Sequence, residues 1–218
     1  FSDILLPLEA MGMELHFDEG GPSLPLPLRS RASIAALAPA DPREKLAYVG
    51  AALRLVRAKL PAETALIGFA GAPFTLASYA VEGGTSKSFL ELKKLMYRDE
   101  ASWSLLLEKL ARSVAAHLVF QIDSGAEAVV LFDTWAGSLT REDYLRYAAP
   151  WTQRVVDEIR GHAPLVLFAG QAEHLFDDLC TTGAQGVAVD HRSDIARAFE
   201  RAAGRVALQG NLDPSALL

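Results

Sequence analysis

The sequence has almost no cysteine, no long apolar run and no excess of basic residues. Its single cysteine, Cys180, excludes an intrachain disulfide and a cysteine-rich zinc site, and it fits a reducing compartment, so we expect a cytoplasmic protein. No stretch approaches the roughly 18 uncharged apolar residues of a membrane span, so we expect no membrane partner. Lys and Arg number 21 against 27 Asp and Glu, and the resulting net charge of −6 argues against a nucleic-acid partner.

The composition is that of a globular protein. The 218 residues are 50% hydrophobic and 22% charged, which is enough to bury a large core without disulfide or metal support. The Pro-rich stretch 18–42 is interpreted as an extended surface segment, because no independent core follows it. We therefore expect one domain over residues 1–218. The first residues lack an initiator Met and a signal-peptide pattern, so we expect a further piece upstream.

Short apolar runs recur along the chain and end in glycine or a polar residue. Runs without alternation are typical of strands that are covered on both faces. Phe1, Ser2 and Asp3 look like the tail of a further run. The predicted strands are residues 66–71, 128–133, 165–170, 186–190 and 206–211.

Helical patterns lie between these runs, at residues 43–60, 87–97, 100–124, 141–160, 173–182 and 193–203. Thr140 and Ser193 are predicted helix N-caps. The alternation predicts an α/β fold of right-handed parallel βαβ units, which is either an open doubly wound sheet or a (β/α)8 barrel. No G-x-G-x-x-G follows an early strand, and six strands are too few to close a barrel. Either the sheet is open or a barrel continues beyond both ends.

Ligands of parallel α/β proteins bind at the carboxyl ends of the strands, where Asp3, Asp133 and Asp190 lie. Aspartate also caps helices and forms turns, so a structural role is the competing interpretation for each. The lysines fall in or beside predicted helices, which disfavours Schiff-base chemistry inside a barrel. Segment 82–88 resembles a phosphate-binding loop but lacks its glycine before Lys87, and we interpret it as a loop leading into a helix.

Several longer phrases resemble the uroporphyrinogen decarboxylase family. They are FSDIL at 1–5, AMGME at 10–14, GFAGAPFTL at 68–76, YAVEGG at 79–84, LFDTWAG at 131–137 and LQGNLDP at 208–214. The resemblance implies a (β/α)8 TIM barrel, of which about six βα units fall within residues 1–218. It also implies that an arginine-bearing segment precedes Phe1 and that two strands with a histidine loop follow Leu218.

The resemblance implies a reaction and a set of site residues. The reaction removes the four acetate carboxylates of uroporphyrinogen to give coproporphyrinogen, without metal or organic cofactor. Asp3 matches the aspartate that stabilises the protonated pyrrole, and Tyr79 matches the tyrosine that hydrogen-bonds to it and to the substrate. Thr134 takes the place of a substrate-binding serine, and Phe132 and Phe69 match apolar walls of the cleft. The family also suggests a homodimer.

Two alternatives remain open. The first is a zinc-dependent corrinoid methyltransferase of the same superfamily, which requires His and Cys ligands at the strand ends; Cys180 lies near a predicted helix end instead. The second is a non-catalytic, incomplete barrel that binds a partner or a porphyrin.

Overall fold

The computed structural model describes residues 2–18 and 21–218 of the chain. The α-helices are α1 (Leu6–Ala10), α2 (Arg31–Ala36), α3 (Pro42–Lys45), α4 (Ala47–Lys59), α5 (Pro73–Glu82), α6 (Leu90–Arg98), α7 (Glu100–Asp123), α8 (Arg141–Asp143), α9 (Ala149–Ile159), α10 (Phe176–Leu179) and α11 (Ile195–Ala202). The strands are β1 (His16–Asp18), β2 (Gly21–Ser23), β3 (Ile67–Gly71), β4 (Ala128–Asp133), β5 (Leu165–Ala169), β6 (Gly186–Ala188) and β7 (Ala207–Gln209).

Five strands form one parallel sheet in the order β3-β4-β5-β6-β7, and β1 and β2 form a separate antiparallel pair. The α/β class and the parallel βαβ connections are confirmed, and each strand of the large sheet lies in a predicted apolar run. Neighbours in the sheet are also neighbours in sequence, with no reversal of strand order. A doubly wound sheet has such a reversal, whereas a barrel does not, so the topology fits an incomplete (β/α)8 barrel.

The predicted first strand is not formed by the residues that can be described. Ser2 and Asp3 have irregular backbone, and Phe1 lies outside the described residues. Five parallel strands are therefore present there instead of the expected six. The backbone N–H of Gly71 still donates a 3.2 Å hydrogen bond to the carbonyl of Ile4, so this segment lies beside the carboxyl end of β3.

The two faces of the sheet differ in burial. Val129, Leu131 and Leu167 are fully buried in the main hydrophobic cluster. Successive strand residues point to opposite faces, so Phe132 and Phe168 lie on the other face, where they are only partly buried. The first face is covered by helices, and the second is the face that a barrel turns inward.

Helix α7 is the central element of the helical layer. The Asp99 carboxylate caps its N-terminus by accepting a 3.0 Å hydrogen bond from the N–H of Ser102. Trp103, Leu106 and Leu110 follow at spacings of three and four residues and are almost completely buried, each contributing roughly 1.5–3 kcal/mol. No helix in the described part of the chain is both long and apolar enough to cross a membrane.

Segment 18–42 is not the extended surface segment that was predicted. It contains part of the β1–β2 hairpin and α2, and Leu24, Leu28 and Ile34 belong to the main core. The ammonium group of Lys109, on α7, donates hydrogen bonds of 2.6–2.9 Å to the carbonyls of Ile34, Ala35 and Leu37. A cation at this position satisfies the free carbonyls at the end of α2 and joins the segment to the helical layer.

Several other local predictions need correction. The helix expected over 43–60 is divided into α3 and α4, and the one expected over 173–182 consists of a 3-10 turn (Glu173–Leu175) and the short α10. The single helix expected over 141–160 is divided into α8, a π-helical turn (Tyr144–Ala148) and α9. Pro150 lacks an N–H and its ring crowds the preceding turn, which accounts for the break. Thr140 caps α8 as predicted, but Asp194 caps α11 in place of Ser193 by accepting hydrogen bonds from the N–H groups of Ala196 and Arg197.

Candidate active site

An aromatic surface covers part of the open face of the sheet. Phe132 pairs with Phe168 in the β4–β5 register, and their ring centroids lie 5.7 Å apart in an edge-on arrangement. Phe69, on β3, places its ring centroid 6.1 Å from that of Phe132. The structure thus brings the predicted wall residues Phe69 and Phe132 into contact, and Phe168, whose place at a strand end also favours a wall of an apolar pocket, lies beside Phe132.

Helix α5 carries Tyr79, which packs against a residue that follows β4. The side chain is 8% exposed, and its ring centroid lies 5.9 Å from that of Trp135, which follows β4. Burial raises the pKa of Tyr79, and the negative charge of Asp3 raises it further, while an interaction with Trp135 has the opposite effect. The phenol is therefore protonated at neutral pH and can donate a hydrogen bond.

Asp3 lies in the irregular segment beside the carboxyl end of β3 and is partly buried. Its Oδ1 accepts a 2.8 Å hydrogen bond from the N–H of Leu5, which fixes the carboxylate in a turn. Close approach of this segment requires glycine at position 71, because a Cβ there would meet the Ile4 carbonyl at 3.2 Å and Leu76 Cδ2 at 2.8 Å. The charge of Asp3 contributes to the raised pKa of the Tyr79 phenol, so the two side chains lie within electrostatic range, but no hydrogen bond joins them among the described residues.

Thr134 directly follows β4 and is half-buried. It lines an open groove together with Trp135, Gly170 and residues of the loop before α6. A side chain at Gly170 would place its Cβ 2.6 Å from the carbonyl of Thr134, so the turns after β4 and β5 can meet only because residue 170 is glycine. Trp135, the next residue in the chain, packs its ring against that of Tyr79, so Thr134 lies near Tyr79.

Asp133 has a different environment from Thr134. It is fully buried, and Oδ1 accepts a 2.9 Å hydrogen bond from Thr75 Oγ1, which in turn accepts a 3.3 Å hydrogen bond from the N–H of Trp135. Oδ2 has no hydrogen-bond partner within the described part of the molecule. Burial raises the pKa of Asp133 to about 7, although hydrogen bonds from Thr75 lower it. Asp133 therefore supports the turn that carries Thr134 and Trp135.

Asp190 has the structural role that was the competing interpretation for each strand-end aspartate. Its carboxylate accepts hydrogen bonds from the N–H groups of Gln171 and Arg192 and from the hydroxyl of Ser193. Hydrogen bonds from Gln171, Arg192 and Ser193 lower its pKa, against the effect of burial. These contacts define a turn that joins the ends of β5 and β6.

A metal site needs several His, Cys, Asp or Glu side chains close together. No group of three His, Cys, Asp or Glu side chains suited to a metal ion occurs among residues 2–18 and 21–218 as described. Cys180 is buried at the end of α10, and burial raises the pKa of its thiol. The thiol is therefore protonated at neutral pH, the opposite of the thiolate that binds zinc.

The structure also identifies residues that the sequence did not single out. Trp135 packs between Tyr79 and Phe89, with ring centroids 5.9 and 5.5 Å away. Lys87 and Lys93 line the groove next to Thr134. The sequence feature that could have pointed to this groove is segment 82–88, which partly resembles a phosphate-binding loop. As predicted, it leads into a helix, α6, and its residues 85–88 form one wall of the groove.

Residues 1–218 match the sequence model of the family described as "Uroporphyrinogen decarboxylase (URO-D)". Uroporphyrinogen decarboxylase from Aeromonas salmonicida (strain A449) is 43% identical and that from Serratia proteamaculans (strain 568) is 44% identical over 223 residues, covering 100% of this chain. The chain spans 63% of the length of each relative. A solved methyltransferase from Methanosarcina mazei superposes with a TM-score of 0.81 at 19% identity, over 96% of this chain and 62% of that one, which shows a shared fold.

Proposed function

This chain belongs to the uroporphyrinogen decarboxylase family, and from that premise we propose that the protein removes the four acetate carboxylates of uroporphyrinogen as carbon dioxide, giving coproporphyrinogen. The two relatives named above carry that name at 43% and 44% identity across the whole chain. The substrate is a small molecule, and the proposed chemistry uses no metal or organic cofactor. We also propose a homodimer in the cytoplasm without nucleic acid, as the family resemblance and the charge of −6 favour.

The decarboxylation needs an electron sink for the electron pair of the carbon–carbon bond that breaks. Protonation of a pyrrole carbon makes the ring cationic, and the ring then accepts the electron pair released when the bond to the acetate carboxylate breaks. Carbon dioxide leaves, and a proton on the remaining carbon gives the methyl group. A fixed carboxylate beside the pyrrole N–H groups stabilises this cation more in the transition state than in the ground state.

We assign that carboxylate to Asp3. The observation that supports the assignment is the position of its segment at the carboxyl end of β3, fixed by the hydrogen bond from Gly71 to Ile4, with Tyr79 within electrostatic range. Both residues belong to the edge of the sheet at which parallel α/β proteins bind ligands. Tyr79 donates a hydrogen bond to Asp3 or substrate, Thr134 supplies a hydroxyl, and Phe69 and Phe132 provide an apolar surface for the rings.

Asp3→Asn in the full-length protein tests this function. Asparagine keeps the shape and can still accept the hydrogen bond from Leu5, but it removes the charge. We expect kcat for uroporphyrinogen to fall by roughly two to three orders of magnitude, as when a transition-state electrostatic contact is lost, with an unchanged melting temperature. Asp157→Asn, at an exposed ion pair with Arg160, is the matched control and should leave kcat unchanged. Parent-like turnover of the Asp3 variant contradicts the assigned role.

A further inference from the structure

An open groove of about 670 Å³ lies at the carboxyl ends of β4 and β5. Its walls are the loop before α6, the first part of α6 and the turns after the two strands. It adjoins the candidate active site, because Trp135 lines the groove and also packs against Tyr79.

The groove is cationic in a chain whose net charge is −6. Its lining contains Lys87 and Lys93 and no acidic residue. Within the described residues, neither ammonium group forms an ion pair, whereas the neighbouring Lys94 pairs with Glu91 at 2.7 Å. The carboxylate of Asp190, which is not a lining residue, accepts a 2.8 Å hydrogen bond from the backbone N–H of Gln171, which is one.

The groove also keeps hydrogen-bond donors available. The ammonium group of Lys93 donates one hydrogen bond, of 3.2 Å, to the carbonyl of Ser138, and an ammonium group has two further N–H groups. Lys87 is exposed, and Thr134, which carries a hydroxyl, is also a lining residue. Two cations and a hydroxyl around one open space match a carboxylate, which accepts charge-assisted hydrogen bonds through both oxygens.

We propose that Lys87 and Lys93 bind a carboxylate side arm of the tetrapyrrole substrate while another arm reacts beside Asp3. This inference rests on the proposed function, which requires a substrate carrying eight carboxylates. The contacts are made to an arm that does not react, so they persist from the bound substrate to the transition state. Loss of the lysines is therefore expected to raise KM more than it lowers kcat.

The test measures initial rates of coproporphyrinogen formation by the full-length protein and by Lys87→Met, Lys93→Met and the double variant. Each single change should lower kcat/KM roughly tenfold, equivalent to about 1.4 kcal/mol, mainly through KM. The double variant should lose more and should respond less to added salt than the parent. Lys87→Arg and Lys93→Arg should retain most of the affinity, and Lys94→Met is the matched control, expected within twofold of the parent.

The outcomes separate this inference from the function on which it rests. A parent enzyme that forms coproporphyrinogen, with a double variant whose KM and salt response equal those of the parent, overturns the carboxylate site and leaves the proposed function intact. A parent that forms no coproporphyrinogen overturns both. Equal loss in Lys94→Met and in the groove variants also overturns the inference, because net charge alone then accounts for the effect.

Discussion

Replacement of Asp133 by asparagine tests how the fold accommodates an acid beneath the candidate active site. The carboxyl group is fully buried; one oxygen accepts a hydrogen bond from Thr75, and the other has no partner among the described residues. Asparagine has nearly the shape of a neutral carboxyl group, and its carbonyl can keep the Thr75 hydrogen bond. The substitution therefore removes the ability to ionise and changes little else.

The expected magnitude follows from the pKa. Burial raises the pKa of Asp133 from 3.8 to about 7, against the hydrogen bonds from Thr75. Between about pH 4 and pH 7 the folded protein holds a proton that the unfolded chain has released, so the free energy of unfolding falls as the pH rises. At roughly 1.36 kcal/mol per pKa unit, the loss reaches about 4 kcal/mol above pH 7. Asparagine cannot ionise, so the Asp133→Asn variant does not lose this stability as the pH rises.

Urea unfolding of the full-length parent and of Asp133→Asn, at about pH 4, 5.5 and 8, measures this difference. The two proteins should agree within about 1 kcal/mol near pH 4, and the variant should be more stable at pH 8 by up to about 4 kcal/mol. Asp123→Asn, at the exposed ion pair with Arg43, should change stability by less than about 1 kcal/mol. A difference between parent and Asp133→Asn that does not change with pH would refute the reasoning.

Two further variants rank the contributions at the site. Tyr79→Phe removes one hydrogen bond from a phenol to a charged group, worth about 1.5 kcal/mol at the lower end of the range for such bonds, so kcat/KM should fall only about 13-fold, and a loss as large as that of Asp3→Asn would contradict this ranking. Tyr97→Phe, which removes an exposed hydroxyl bound to Asp143, is its control and should leave kcat/KM unchanged. Thr134→Ser keeps the hydroxyl, so KM should stay within about twofold of the parent in the same rate assay; a tenfold rise would mean that the methyl group shapes the groove.

The strands were predictable because apolar side chains on both faces leave a local signal, even though the open face is only partly buried. Residues 128–133 and 165–170 contain continuous apolar runs, and β4 and β5 lie inside them. Sequence order alone left the sheet and the barrel as alternatives. The observed order β3-β4-β5-β6-β7 separates them, because it depends on which strands become neighbours in space.

Helix α5 could not be predicted from the sequence, because it lacks the local pattern that a surface helix shows. Every residue from Pro73 to Val81 is buried, so the segment has no polar face and no helical periodicity that a sequence pattern can reveal. Tyr79 belongs to this helix, and its role was therefore accessible only through the family resemblance. Residues 24–37 were misjudged for a different reason: the buried Leu24, Leu28 and Ile34 are separated by prolines and exposed residues and show no regular spacing.

The aspartates at the strand ends differ in the face of the sheet on which their side chains lie. Asp133 is two residues after Leu131 and four after Val129, both of which face the helices, so the period of a strand places its side chain on the helical side. Phe132, one residue earlier, lies on the open face. Asp133 thus supports the site from the helical side, whereas Asp3 is held in a turn outside the strands, beside the carboxyl end of β3. Position at a strand end selects candidates, and the face on which each side chain lies decides which of them can meet a substrate.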